Sequence, residues 1–261
     1  QVVIGCVDTN SLVAGKGIER LKNAGINVIT NVLEQECLLH HKRFFTVQNK
    51  KRPFIILKWA QSQDGFIAPT SKNEQKPIWI SNKNSQQLVH KWRSQEHAIL
   101  VGTNTVLADN PKLNVRSWSG NNPVRIVLDA NLRLSDELRV FDESVKTIIL
   151  FDKLKEHASK MSNRAQSRGN NRELIFESID FSSRVAEQIC EVLQKHQIQS
   201  VIIEGGKQTL QTFIDANLWD EARVFTGGII LNNGVEAPNF KGMISSEEKI
   251  NNDILRTYIN D

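Results

Sequence analysis

The chain has 261 residues, 39% of them hydrophobic and 24% charged, so it is able to bury a sizeable core and is not disordered by composition. Lys and Arg total 33 against 29 Asp and Glu, and the net +4 is spread along the sequence instead of gathered into basic blocks, which disfavours a nucleic-acid partner and suits an anionic small molecule. Cys6, Cys37 and Cys190 are odd in number and form no CxxC pair, which indicates neither a disulfide framework nor a cysteine zinc site and points to a reducing compartment, the cytoplasm, while no apolar run approaches the roughly 20 residues needed to cross a bilayer.

Val2 to Asp8 reads as a buried strand with no leading Met and no upstream helix to cover it, so the start looks like a cut. Gly17 to Gly25 reads as a short helix and Ile26 to Ile29 as a second strand, together one βαβ unit. A further helix is expected from Glu34 to Phe45, followed by the basic, proline-closed stretch Gln48–Pro53 as the linker. The domain division is therefore drawn at 46/47. After Pro53, Phe54–Ala60, Ala98–Val101, Val124–Leu128, Lys146–Phe151 and Ser200–Ile203 are apolar runs bounded by turns, which suits strands buried on both faces. The helical stretch from Ser183 to Lys195, capped by Ser182 or Ser183, is the clearest of those between them. This alternation predicts an α/β fold with a mostly parallel sheet and flanking helices. Lys160 to Arg172 is polar and reads as a surface loop without a catalytic role.

Two strand-to-helix turns carry the strongest chemical signal. In Ile202-Ile203-Glu204-Gly205-Gly206-Lys207-Gln208-Thr209-Leu210, glycines allow a ligand close to the backbone and the helix start offers free N–H groups to phosphate. An ordinary tight turn is the plainer alternative. Glu204, however, stands at the C-terminal end of a strand, where open α/β sheets bind ligands. The second turn, Val101-Gly102-Thr103-Asn104-Thr105, leads to Asp109-Asn110-Pro111 and on to Arg116, so Thr103, Thr105, Asp109 and Arg116 face one rim. Asp109 is equally readable as a turn residue, and Arg116 as a solvated charge. Two such turns suit a ligand set with several phosphates. Lys58 lies inside an apolar strand and needs a carboxylate or an anion if buried, the alternative being a snorkelling edge-strand lysine. Trp79, beside the cap-like Ser81, reads as a core anchor or as a wall for a flat ring. His40, His41, His90, His97, His157 and His196 show no HxxxH or HxE spacing, so no metal site is predicted and satisfied or surface histidines are the default. GxSxG, GxxxxGK[ST] and GxGxxG are all absent, which disfavours a hydrolase elbow, a P-loop and a standard Rossmann dehydrogenase.

Taken in order, Val7-Asp8-Thr9-Asn10, Val13-Ala14-Gly15-Lys16-Gly17-Ile18, Arg52-Pro53-Phe54, Leu57-Lys58, Ser62-Gln63-Asp64-Gly65 and Trp79-Ile80-Ser81 resemble one family, the bifunctional deaminase–reductase of riboflavin biosynthesis. The match continues through Arg93, Ala98 to Gly102, Thr105 to Pro111, Leu113, Arg116, Pro123-Val124-Arg125, Asp129 and Glu204-Gly205-Gly206, and so spans nearly the whole chain. The resemblance implies that residues 1–46 are the C-terminal part of a cytidine-deaminase-like domain, and that 47–261 form a pyrimidine reductase domain with a dihydrofolate-reductase-like sheet. The deaminase signature, a His-Ala-Glu segment with Pro-Cys and a further cysteine, does not occur here. Zinc and deamination are accordingly expected only of a longer parent.

By resemblance, the reductase uses NADPH to reduce the ribose of 5-amino-6-(5-phosphoribosylamino)uracil, and a homo-oligomer is expected. Ala60, Trp79, Thr105, Asp109, Gly205, Gly206, Lys207, Gln208 and Thr209 are implied to contact NADPH. Pro77, Arg93, Leu113, Arg116 and Glu204 are implied to contact the phosphorylated pyrimidine, with Arg93 and Arg116 as phosphate partners. Lys58 and Asp109 are the candidates for proton and charge handling. Two departures stand out: Gln61-Ser62-Gln63 replaces the common Ala-Ser-Leu, and Pro77 replaces a hydroxyl residue, leaving only its carbonyl for bonding. A pterin or folate reductase is disfavoured by Arg93 and Arg116. A silent nucleotide-binding domain is disfavoured by the intact Lys58, Asp109, Arg116 and Glu204.

Overall fold

The computed structural model describes residues 1–10, 13, 15–70, 78–154 and 173–260; Pro77 and the polar loop of 160–172 lie outside the described residues. The chain divides into two compact units, 1–54 with 193–199, and 55–192 with 200–261.

In the first unit Val2–Val3 (β1) pairs in parallel with Val28–Ile29 (β2), joined through Lys16–Asn23 (α1). The expected βαβ unit is present but shorter. Its opening strand ends at Val3, not Asp8, and Val3 is 58% exposed, so this strand is not buried. The single helix expected over 34–45 is two, Glu34–His40 (α2) and Lys42–Lys50 (α3), hinged at His41. Gln48 to Lys50, expected as linker, are the last turn of α3, which runs across position 46/47. Phe45 and Thr46 are buried on this helix, and such packing outweighs the polar composition that follows them. Lys51, at φ +51, ends the helix.

The second unit is built on a nine-stranded sheet, mostly parallel. Its strands are Phe54–Gln61 (β3), Ala98–Gly102 (β5), Val124–Leu128 (β6), Thr147–Asp152 (β7), Leu174–Ile179 (β8), Ser200–Glu204 (β9), Glu221–Thr226 (β10), Met243–Ile250 (β12) and Asp253–Ile259 (β13). Their spatial order is β12-β13-β10-β3-β9-β5-β6-β7-β8. β10 is parallel to β3, and β9, β5, β6, β7 and β8 run parallel in succession, whereas β13 pairs antiparallel with both β10 and β12. Phe66–Ala68 (β4) pairs separately with Val235–Glu236 (β11). The unbroken apolar runs explain the central position of the parallel strands: Ile55, Ile56 and Leu57, like Ile99, Leu100 and Val101, have no solvent exposure. β3 lies between β10 and β9, so Lys58 is on a central strand and not at an edge.

The remaining helices are Lys83–Gln95 (α4), Thr103–Asp109 (α5), Val185–Lys195 (α6) and Lys207–Asp215 (α7). Val106 of α5 packs into a core with Ile99, Val101, Val127, Ile149 and Leu113, which fixes this helix behind the rim of the sheet. Two caps differ from expectation. Asn82, not Ser81, caps α4, accepting N–H bonds from Asn84 (2.9 Å) and Ser85 (3.1 Å). Ser182 donates its hydroxyl to Asp180 instead of capping α6, and Arg184, at φ +48, accepts the first helical bond from Gln188 at 3.1 Å. The buried Asp253 clamps the start of α4, accepting from Asn82 N (2.8 Å) and Ser85 Oγ (2.6 Å).

Asp253→Ala leaves those donors unmatched in a buried place. It is expected to cost about 1–3 kcal/mol in urea-induced unfolding, since an orphaned buried polar group loses its solvation without compensation.

Candidate active site

The C-terminal ends of β3, β5 and β9 open into a cavity of about 1720 Å³, walled by α4, α5 and the start of α7. Its two glycine turns interlock. A Cβ on Gly102 would stand 2.6 Å from Thr209 Oγ1, and one on Gly205 3.0 Å from Thr105 Oγ1. Each turn thus accommodates a threonine of the other's helix only because it lacks a side chain. Gly205 and Gly206 also take φ of +116° and +64°, which glycine adopts without steric cost. A side chain on either would intrude on the cradle that opens at the start of α7.

Glu204, the last residue of β9, anchors the polar cluster. Arg93 of α4 grips it bidentately, Nε to Oε1 at 2.8 Å and Nη2 to Oε2 at 2.6 Å, while Lys58 Nζ of β3 lies 3.6 Å from Oε2. All three side chains are at most 16% exposed. Burial pushes the Glu204 carboxyl up, but Arg93 and then Lys58 overcome it and hold its pKa down to about 2. Burial likewise pulls the Lys58 ammonium below its usual range, with Glu204 opposing and Arg93 adding to the shift. A lysine so placed gives up its proton more readily than one in water.

The third donor of Arg93, Nη1, reaches the carbonyl of Asn114 at 3.3 Å. His90, one turn earlier on α4 and 4% exposed, accepts the backbone N–H of Arg116 at Nδ1 (3.4 Å). Burial, followed by the adjacent Arg93 and Arg116 charges, depresses the His90 pKa to about 4, so the ring is neutral near pH 7. Helix α4 therefore moulds the segment that displays Arg116.

The structure brings nearly all the sequence-selected residues to this one cavity: Ala60, Trp79, Thr105, Asp109, Arg116 and the 205–209 turn line it together with Lys58, Arg93 and Glu204. Trp79 is 55% exposed, so it is a wall of the cavity and not a core anchor. Leu113, at φ +51 and 2% exposed, belongs to the core behind α5, which leaves its backbone as the part able to meet a ligand. Lys207 Nζ is 3.2 Å from Glu236, and Gln208 is exposed. Pro77 lies outside the described residues. The Ser62-Gln63-Asp64-Gly65 stretch is a turn in which Asp64 accepts from Ser62 Oγ (2.6 Å), Leu231 N (3.1 Å) and Asn232 N (2.7 Å), a scaffold role. Among the described residues, no three His, Cys, Asp or Glu side chains gather where they could hold a metal ion, and no helix is long and apolar enough to cross a membrane. Sequence reasoning missed His90 as a support for Arg116; its spacing of three from Arg93 on one helix was the available signal.

Residues 53–251 match the model of the RibD C-terminal domain. The chain is 34% identical to the riboflavin biosynthesis protein RibD of Aquifex aeolicus, over 96% of this chain and 67% of that protein. It is 31% identical to RibD of Actinobacillus pleuropneumoniae, over 99% of this chain and 70% of that one. Among solved structures, the Thermotoga maritima diaminohydroxyphosphoribosylaminopyrimidine deaminase/5-amino-6-(5-phosphoribosylamino)uracil reductase superimposes with a TM-score of 0.83 at 31% identity, covering 100% of this chain and 72% of that chain. The chain thus spans about two thirds of the length of these relatives.

The buried charges set an acid limit to stability. The His90 pKa in the fold lies below the value of ~6.5 for an unfolded chain, so its contribution is complete above that pH and drains away as pH falls towards 4. Glu204, depressed from ~4.3, adds a second loss as pH falls from there towards 2. In urea unfolding measured from pH 7 to pH 4, His90→Gln is expected to flatten the upper part of this dependence; an unchanged slope would refute the assignment.

Proposed function

The chain belongs to the RibD C-terminal domain family, and from that premise we propose that it is the NADPH-dependent reductase of 5-amino-6-(5-phosphoribosylamino)uracil in riboflavin biosynthesis. The observation that carries this reading is the Glu204–Arg93–Lys58 cluster set beside the Gly205-Gly206 turn in one cavity with Arg116. Residues 1–46 are read as the end of a deaminase-like domain and 47–261 as the reductase domain. The zinc-binding signature of the deaminase does not occur in this sequence, and zinc-assisted deamination is assigned to none of its residues. A homo-oligomer is part of the same proposal.

The cavity fits the cofactor. The side-chain-free cradle at Gly205 and Gly206 opens onto the start of α7, where unpaired backbone N–H groups favour a pyrophosphate, and the exposed Trp79 offers a flat wall. When bound, NADPH supplies the hydride that the ribose C1′ receives. The remaining work falls to this chain. As the C1′–O4′ bond breaks and C1′ gains hydrogen, O4′ must take a proton. Lys58, its ammonium made more acidic by burial, is the donor proposed for that oxygen. Glu204 keeps the lysine in place while remaining ionised itself. Asp109, at the end of α5 on the cavity wall, is the second candidate for handling charge at the sugar. Arg93 holds Glu204 and the Asn114 carbonyl, and so acts as a positioning residue.

The test is the fall in NADPH absorbance when the purified chain meets the deaminated substrate, with the still-aminated precursor as control. Oxidation with the first alone is expected. Lys58→Met and Asp109→Asn are each expected to lower kcat about a hundredfold or more while circular dichroism stays native, the usual worth of a positioned proton donor or acceptor. Turnover within a few-fold of the parent would remove that residue from proton handling.

A further inference from the structure

The three cysteines are placed differently by the fold. Cys190 is buried on α6, whereas Cys6, just beyond β1, and Cys37, on α2, are both half-buried. Nothing in their spacing pairs the last two, yet the fold brings them together: the Cys6 and Cys37 thiols share a side-chain hydrogen bond. Gly5 shows how closely the second sulfur is seated. A Cβ at position 5 would collide with Cys37 Sγ and stand 3.2 Å from Cys37 Cβ. Gly5 does not take a positive φ, so room for that sulfur, and not backbone conformation, is what calls for glycine there.

Main-chain bonds hold both sulfurs in position. The Ile4 N–H donates to the Ile29 carbonyl at 2.8 Å, and the Val32 N–H donates to the Ile4 carbonyl at 3.2 Å, which fastens the end of β1 to the segment entering α2. Asn31 and Leu33 turn that segment at φ of +63° and +56°, and the carbonyl of Leu33, the N-terminal cap, accepts the Cys37 N–H at 3.0 Å. The two thiols therefore stay together through backbone geometry and not through their own contact. Burial, then Cys37 and Glu34, raises the Cys6 pKa above the ordinary thiol value, and the hydrogen bond to Cys37 and the charge of Asp8 add to the shift. Cys6 thus keeps its proton and donates it in a hydrogen bond to Cys37 Sγ. A donor so placed stabilises a thiolate on Cys37, the form of the sulfur that attacks.

We propose that Cys6 and Cys37 are a redox-modification site, where a reversible disulfide forms within the chain by exchange with a small-molecule disulfide. The Cys37 thiolate attacks one sulfur of the oxidant, which makes a mixed disulfide and releases one thiolate. Cys6, on losing its proton, then attacks Cys37 Sγ and releases the second thiolate. The two cysteines together give up two electrons and two protons, and the oxidant, reduced by those electrons, leaves as two thiols. The bond ties the end of β1 to α2 and closes a loop that contains α1 and β2. In a reducing compartment such a bridge is transient, made under oxidation and undone by thiols. The proposal does not depend on the reductase reading.

The experiment equilibrates the folded chain at mildly alkaline pH in buffers of graded oxidised-to-reduced glutathione ratio, quenches with acid, alkylates the remaining thiols and maps the products by mass spectrometry. Cys6 and Cys37 are expected to resist alkylation and to appear in one joined peptide, which dithiothreitol separates, while Cys190 stays a thiol. The equilibrium constant for the bridge is expected to be about tenfold or more larger in the folded chain than in the same chain unfolded in urea, and the oxidised chain accordingly unfolds at higher urea concentration than the reduced one. Cys6→Ser and Cys37→Ser are each expected to abolish the bridge and the urea shift, with Cys6→Ser retaining one glutathione on Cys37. A bridge to Cys190, disulfides between chains, glutathione carried on both Cys6 and Cys37 without a bridge, or an equilibrium constant no larger than in urea each overturns the proposal.

Discussion

A carboxylate buried at the end of a central strand is tolerable only if its charge is answered at once, and Glu204 is answered twice. Arg93 reaches it from helix α4 and Lys58 from strand β3, so one residue links two elements that the sequence separates by 111 and 146 positions. Neither cation would be comfortable at that depth alone, because desolvation of an unpaired charge exceeds what packing returns. The three groups are therefore mutually obligatory. The arrangement also leaves Lys58 with a weakened hold on its proton in a place where a substrate could receive it.

The demand for that geometry spreads outwards. Arg93 arrives at Glu204 only if α4 is set at the correct depth, and its start is fixed by the Asn82 cap and by Asp253 at the start of β13. The same helix supports Arg116 through His90 and through the Asn114 carbonyl. Around the cavity, Arg93 holds Glu204, the buried Arg125 pairs with Asp142 beneath the 3-10 turn Arg139–Phe141, and Arg116 and Arg139 are among the lining residues.

Much of this was legible in the sequence because the strong signals are local. Unbroken apolar runs gave β3, β5, β6, β7 and β9 but not β8 or β10, and the glycine turns after β5 and β9 marked the rim, since both follow from backbone geometry and solvent exclusion. Lys58 and Glu204 stood out as charges in apolar strands. Their pairing did not, because it depends on β3 and β9 becoming neighbours across a long connection. The same limit hid the contact of Arg93 with Glu204, since α4 and β9 meet only in the folded chain. Helix ends were read less well: Asn82 prevailed over Ser81 through a tertiary contact with Asp253, and the polar Gln48 to Lys50 stayed helical because Phe45 and Thr46 are packed. Leu113, which the resemblance sets against the substrate, lines the cavity while also packing in the core behind α5.

The crossed packing of Gly102 against Thr209 and of Gly205 against Thr105 has a consequence for how this rim can change over time. Gly205 is held to glycine by its φ of +116° as well as by Thr105, but Gly102 has ordinary backbone geometry and is limited by Thr209 alone, so position 102 can take a larger residue only once position 209 has become smaller. Substitutions at 102 and 209 should therefore appear as a correlated pair, strongly non-additive in their effects, while 205 stays glycine.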